Sequence, residues 1–324
     1  MEMFTKEQIE SAAQYIYQYM SATPQYSWPQ INKQVGCSVI VKHENHTPIG
    51  AFKARGGLTF TSWLRANHPE AKGIITATRG NHGQAQAFAA SMAGIKPVVL
   101  VPNGNSVEKN NAMRSFGAEL IEHGNDFNEA LLEVSRLAKE RDLFIVPPFH
   151  EQIMLGVATY GLELFTAAPD LDRVYVPIGC GSGICGTITA RNALGLKTEI
   201  IGVVSNQFSA AKKSFDTGII SGTDAAYSFA DGMAVRAPIP DAFAVYSQGA
   251  ERIIEVSDDE IAAATRIYFK DTHNAAEGAG AASLAAALKE RDQLKGKKIG
   301  VILTGGNIDT DAFRQILAGE TPTA

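Results

Sequence analysis

The chain has 324 residues, 45% of them hydrophobic and 19% charged, with a formal net charge of −5. That length builds two lobes, each with its own core, and the charge excludes the basic field that holds nucleic-acid phosphates. No apolar run reaches the ~18 residues that span a bilayer, and the opening MEMFTKEQIESAAQYIYQYM lacks the basic and apolar regions of a secretory leader.

In chain order, Ile9, Ala12, Ala13, Ile16 and Tyr17 fall at helical spacing behind Thr5, a residue suited to an N-cap. A proline-containing loop follows, then CSVIVKHE, a short apolar run that fits a buried strand. From Gly73 the text alternates: GIITAT (strand), GNHGQAQAFAASMAG (helix), KPVVLVP (strand), SVEKNNAMRSFG (helix), AELIEHG (strand), DFNEALLEVSRLAKERD (helix) and FIVPP (strand). After His150 the same rhythm gives the helix QIMLGVATYGLELFTAA, the strand RVYVPIG, the helix SGICGTITARNALG and the strand EIIGVVS. Near the end, EIAAATRIYFKDTH and GAASLAAALKERDQL are helical in pattern, and KKIGVILTGG is a strand running into glycines. Strands alternating with helices predict α/β architecture with parallel sheets joined by right-handed crossovers. The stretch 214–245, rich in Gly, Ser and Pro, reads as linker-like. Too little lies outside the pattern for an appended regulatory domain. Cys37, Cys180 and Cys185 form neither a disulfide framework nor a zinc-ligand spacing, which predicts a reduced, cytoplasmic protein.

One strand–glycine–helix junction carries chemistry. In PIGCGSGICG, Gly179, Gly181 and Gly183 alternate with Cys180 and Ser182 directly after an apolar strand. Backbone N–H groups at a helix N-terminus are unpaired and partly positive, and glycine lets an anion approach them. The spacing is neither the dinucleotide fingerprint nor a P-loop, so it suggests a single phosphate group held mainly by backbone; the alternative is an ordinary tight strand-to-helix turn.

Four segments in fixed order, HTPIGAFKARGG (46–57), TRGNHGQ (78–84), PIGCGSG (177–183) and LTGGN (303–307), resemble the fold type II pyridoxal-phosphate enzymes, in particular the serine/threonine dehydratase and serine racemase group. The resemblance covers roughly residues 40 to 310. It implies two open twisted, mostly parallel sheets flanked by helices, as in tryptophan synthase β-like folds. It also implies a large cofactor-binding domain from 1–50 and 150–324, with a small domain, 51–149, inserted in it. The cofactor would be pyridoxal 5′-phosphate, the substrate a small amino acid, and the assembly a homodimer without nucleic-acid or membrane partners.

By the same resemblance, Lys53, behind Phe52 in F-K-x-R-G, is the Schiff-base lysine and the base for the Cα proton, work that requires a free amine. Asn81 would bond the ring hydroxyl, and Gly179, Cys180, Gly181, Ser182 and Gly183 would cradle the phosphate. Thr304 would face the pyridine nitrogen, where a hydroxyl donates to a neutral ring and so favours β-elimination. Glu277 would lie near the cofactor or simply serve the N-terminus of its helix. Thr78, Arg79, Gly80, Asn81 and His82 match the loop that grips the substrate carboxylate; His82 is otherwise a packed core histidine.

The sequence departs from the family at three places. Racemases of the group carry serine where Arg79 stands, and an arginine is a poor proton shuttle. A guanidinium there matches a second, side-chain carboxylate such as that of 3-hydroxyaspartate, or pairs with a protein acid. The stretch IGVVSNQFSAAKKS, where relatives place carboxylates for a divalent cation, has none, so no metal is expected there. Ala51 replaces the serine usual before Phe52. The expected activity is therefore β-elimination of a β-hydroxy amino acid (threonine, serine, 3-hydroxyaspartate or phenylserine) to a 2-oxo acid and ammonia. The alternatives are an amino-acid racemase, a β-replacement enzyme, which Ala54 in place of an acid argues against, or a non-enzymatic vitamin-binding protein.

Overall fold

A computed structural model describes residues 4–124, 127–224 and 227–323. The chain divides into two compact units, Met1–Phe52 with Val157–Ala324, and Lys53–Gly156. The elements in chain order are α1 (Lys6–Ile16), β1 (Gln25–Tyr26), α2 (Pro29–Val35), β2 (Ser38–His43), α3 (Lys53–Asn67), β3 (Gly73–Ala77), α4 (Asn81–Met92), β4 (Lys96–Val101), α5 (Val107–Ser115), β5 (Glu119–Glu122), α6 (Phe127–Arg141), β6 (Phe144–Ile145) and α7 (Glu151–Ala167). They continue with β7 (Arg173–Pro177), α8 (Ser182–Ala193), β8 (Glu199–Ser205), α9 (Ala210–Thr217), α10 (Pro240–Gly249), β9 (Arg252–Val256), α11 (Asp258–Thr272), α12 (Gly278–Lys289), β10 (Lys298–Leu303) and α13 (Thr310–Leu317).

Local chemistry sets the helix starts. Thr5 closes a capping box on α1: its hydroxyl accepts from the Gln8 N–H, while the Gln8 side chain accepts from the Thr5 N–H. Ser257 and Glu260 do the same for α11. Ile9, Ala12, Ala13 and Ile16 are buried, whereas Tyr17 lies past the helix as its C-cap, exposed, with its hydroxyl donating to Glu163. The proline-containing loop holds two elements of its own, the short β1 and α2, which starts on Pro29, where the lost N–H costs nothing.

The larger unit is built on a six-stranded sheet of order β1-β2-β10-β7-β8-β9, parallel except for β1 against β2. The smaller unit carries a fully parallel four-stranded sheet, β5-β4-β3-β6. The strands β3 and β7 are buried at every residue, the signature of strands covered on both faces. The fold is thus α/β with two mostly parallel sheets flanked by helices. In the larger unit, α12 buries every residue from Gly278 to Ala287, packing against β7, β8, β9 and β10. Its Ala and Gly residues permit that approach: a Cβ on Gly280 would sit 2.3 Å from the Gly305 carbonyl oxygen.

The stretch 214–245 is not a linker between units. It lies inside the larger unit, carrying the end of α9, a 3-10 turn at Asp231–Met233 and the start of α10. Its prolines mislead because Pro240 begins a helix. Ala225 and Ala226 of this stretch, and Asp126 at the expected start of the sixth helix, lie outside the described residues.

Candidate active site

The larger unit gathers Phe52, the 179–183 loop, Glu277 and Thr304. The strand β10 ends at Leu303, and the buried Thr304 follows it. The Phe52 N–H donates to the Thr304 carbonyl at 3.0 Å, and Ala51 bridges antiparallel to Gly305. Glu277, 4% exposed, is the N-cap residue of α12 without capping it by its side chain. Its N–H donates to the Gly305 carbonyl at 3.1 Å, and its Oε1 lies 2.6 Å from where a Gly305 Cβ would be. The acid is therefore buried against the 304–305 turn and is not a solvated first-turn residue.

The strand β7 delivers the chain into the 179–183 loop, and Ser182 opens α8. Gly181, the N-cap, has φ of +99°, a left-handed conformation that favours glycine, and no side chain caps the helix. The first amide to close onto the helix is that of Cys185, to the Gly181 carbonyl, so the Ser182, Gly183 and Ile184 amides face the loop end unpaired within the helix. Two residues the sequence did not single out fix this turn. The buried Tyr160 hydroxyl donates to the Gly183 carbonyl at 2.8 Å and lies 2.8 Å from Thr187 Oγ1, and the Tyr160 ring meets Phe52 edge-on. No local spacing marks them: Tyr160 belongs to α7, remote in sequence from the loop. Cys180 is partly exposed and Cys185 is buried, its thiol pushed up by burial and donating to the Ala242 carbonyl at 3.3 Å.

The smaller unit carries Lys53 and the 78–82 loop. Lys53, half-buried, is the first residue of α3, and the fully buried Arg55 follows. The glycines of KARGG serve packing, since a Cβ on Gly57 would sit 2.7 Å from the Ala85 carbonyl of α4. Thr78 orders the loop: its Oγ1 accepts from the Gly80 N–H at 3.1 Å and from the Gly83 N–H at 3.3 Å. Gly80 is the N-cap of α4, again without a side-chain cap, and Asn81 is the first helical residue. His82 is held neutral, pushed down to about 3, by burial first and by the Lys53 ammonium second. Its Nε2 is buried without a hydrogen-bond partner among the described residues.

Arg79 is exposed, and the described residues place neither an ion pair nor a hydrogen bond on its side chain. Of the two alternatives for Arg79, an ion pair with a protein acid therefore finds no support among the described residues.

The donor sets suit a phosphate-bearing aromatic cofactor. The uncapped α8 N-terminus offers backbone amides, and the hydroxyls of the buried Ser182 and Thr304 have no hydrogen-bond partner among the described residues. A Cβ on Gly183 would meet no atom closer than 3.7 Å, an ordinary contact, so glycine is not required there by close packing. Among the described residues no group of three or more His, Cys, Asp or Glu is placed to hold a metal ion, and no helix is long and apolar enough to cross a membrane.

Comparison with known proteins agrees with this chemistry. The chain is 36% identical over 288 residues to an L-threonine ammonia-lyase of Geobacter sulfurreducens, covering 88% of this chain and 71% of that one. It is 30% identical over 304 residues to a biosynthetic L-threonine dehydratase of Haemophilus influenzae, covering 93% of this chain but only 59% of the relative's length. The fold superposes on a crystal structure of a pyridoxal 5′-phosphate-dependent aspartate racemase with a TM-score of 0.89 at 27% identity, covering 97% of this chain and 99% of that one. The family model described as pyridoxal-phosphate dependent enzyme matches residues 16–305, and the chain belongs to that family, with pyridoxal 5′-phosphate as its cofactor.

Proposed function

We propose that the chain is an ammonia-lyase that eliminates water from β-hydroxy α-amino acids, giving a 2-oxo acid and ammonia. The observation that carries the proposal is the place of Lys53 at the head of α3, near the uncapped N-terminus of α4, where burial first and Lys53 second keep His82 neutral. The proposed base and the proposed carboxylate-binding loop both belong to the smaller unit. The names borne by the relatives point the same way.

In this reading, Lys53 holds the cofactor covalently and, as the free amine, takes the substrate Cα proton. The α4 N-terminus, with the Gly80, Asn81 and His82 segment ordered by Thr78, receives the α-carboxylate. Asn81 bonds the ring hydroxyl. In the larger unit, Gly179, Cys180, Gly181, Ser182 and Gly183 hold the phosphate, Thr304 donates to the ring nitrogen, and Phe52 and Glu277 border the ring. When bound, pyridoxal 5′-phosphate supplies a conjugated sink for negative charge developed at Cα. Thr304 leaves that sink uncharged, which suits loss of a β-substituent. Arg79 stays protonated and cannot relay a proton on the opposite face, which favours elimination over racemisation. Its guanidinium, without a partner among the described residues, adds acidic side chains, as in 3-hydroxyaspartate, to the substrate range.

The test is a screen of threo and erythro β-hydroxy amino acids scored by 2-oxo acid release, with chiral analysis of L-serine in parallel. Release from at least one of them is expected. Inversion of serine without 2-oxo acid from any substrate would instead identify a racemase.

A further inference from the structure

The buried hydroxyl of Tyr246 has no partner among the described residues, and its position explains what it serves. The helix α10 runs beside α8 in the same sense. A Gly181 Cβ would sit 2.6 Å from Ala242 Cβ, the Cys185 thiol donates to the Ala242 carbonyl, and a Gly249 Cβ would meet Ile188. Helical side chains lean toward their own N-terminus. The Tyr246 ring follows that rule, bringing Cε1 to 3.7 Å from the Gly181 Cβ position, at the N-cap of α8. Tyr246 is 1% exposed, and its hydroxyl finds no hydrogen bond, which is unfavourable unless something else satisfies it.

Two observations converge on one point: a helix N-terminus with no side-chain cap, and a buried phenol whose ring edge borders the left-handed glycine there. We infer that the Tyr246 hydroxyl is a phosphate ligand, donating a hydrogen bond to the phosphate that the 179–183 loop holds, so that α10 contributes a side-chain donor to a cradle otherwise made of backbone. The inference rests on the proposed phosphate role of that loop. Burial pushes the phenol above its ordinary value, so it remains a donor at neutral pH. Tyr268 sharpens the contrast. Its hydroxyl is also buried and unpaired among the described residues, but it lies within the apolar cluster around α11 and α12.

The experiment compares the apparent dissociation constants of pyridoxal 5′-phosphate and of pyridoxal, which lacks the phosphate, for wild type and Tyr246→Phe, read by absorbance of the bound cofactor. The apo-protein thermal midpoints are measured alongside. Loss of a hydrogen bond to a charged oxygen is expected to weaken the phosphorylated cofactor about tenfold or more. Pyridoxal binding and the apo midpoint are expected to stay unchanged, because Phe fills the same space. A change in the 31P resonance of the bound cofactor is expected in the same variant. Equal weakening of both compounds would show a packing effect and overturn the inference. So would unchanged affinities with a lowered apo midpoint, which would mean that an internal water satisfies the hydroxyl. Ser182→Ala and Gly183→Ala separate the levels. If neither alters the preference for the phosphorylated compound, the phosphate role of the loop itself falls. If they alter it and Tyr246→Phe does not, only the tyrosine assignment falls.

Discussion

At the scale of single residues, Lys53 and Arg79 divide the chemistry between them. Both are cations in the smaller unit, yet only a lysine can give up its proton to serve as a base; a guanidinium does not deprotonate in proteins. Lys53→Ala removes the base and the covalent hold on the cofactor, so 2-oxo acid release should fall by at least the ~10²–10⁴ that a positioned proton-transfer group contributes. Release at the wild-type rate would end the assignment. Arg79→Ala separates reading the substrate's side chain from doing chemistry on it. Since the guanidinium has no protein partner among the described residues, its removal should leave folding intact. The specificity constant for 3-hydroxyaspartate should drop about 10–100-fold, while that for threonine stays within a few-fold. An unchanged ranking of acidic and neutral substrates would remove Arg79 from specificity.

At the scale of elements, α12 shows how packing sets the 304–305 turn. Gly280 has a carbonyl 2.3 Å from its Cβ position, while Ser283, one turn on, buries a hydroxyl without a partner among the described residues. Gly280→Ala should therefore lower stability by about 1–3 kcal/mol through overpacking, despite the better helix propensity of alanine. By shifting the Gly305 backbone it should also weaken cofactor binding. Ser283→Ala on the same helix should be neutral or slightly stabilising. Urea midpoints and cofactor titration of the two variants check this, and a Gly280→Ala variant as stable as wild type would refute the close-approach argument. These elements also show what the sequence makes legible. Short apolar runs mark the long strands and a period of 3.6 the helices, and contiguous motifs mark Lys53, Asn81 and the 179–183 loop. By contrast β1 is only two residues long, and α10 starts on a proline in a stretch of loop-like composition. Tyr160 and Tyr246 look like any core tyrosine until tertiary packing carries their rings to α8. That Arg79 makes no ion pair among the described residues is likewise a fact of three dimensions.

At the scale of the whole molecule, each unit holds a histidine whose charging folding strongly opposes, with His150 of the smaller unit lowered by burial as well, and this sets an acid limit on stability. His43, in the larger unit, is pushed from 6.5 down to about 4 by burial first and by its neighbour His46 next. Its Nε2 accepts from the Trp28 indole at 3.1 Å. His82, in the smaller unit, is pushed down to about 3. Both folded-state values lie below 6.5, so between pH 6.5 and about 4 the unfolded chain binds protons that the folded chain refuses. Stability consequently rises with pH across that window and is lost as pH falls, by up to about 1.4 kcal/mol per pH unit for each histidine. His82 is only partly buried by surface area, so its share falls below that ceiling. Carboxylates held low, such as Glu119 bonded by Lys96 and Arg141, add a loss of the same sign only around and below 4.5. The interval from pH 6.5 to 5.5 therefore isolates the histidines. Urea midpoints measured across it should decline, and His43→Gln, which keeps an acceptor for Trp28, should flatten the decline by up to one proton's worth. If the slope of the His43→Gln variant equals that of wild type, His43 is already charged in the folded state and its burial does not control the acid limit.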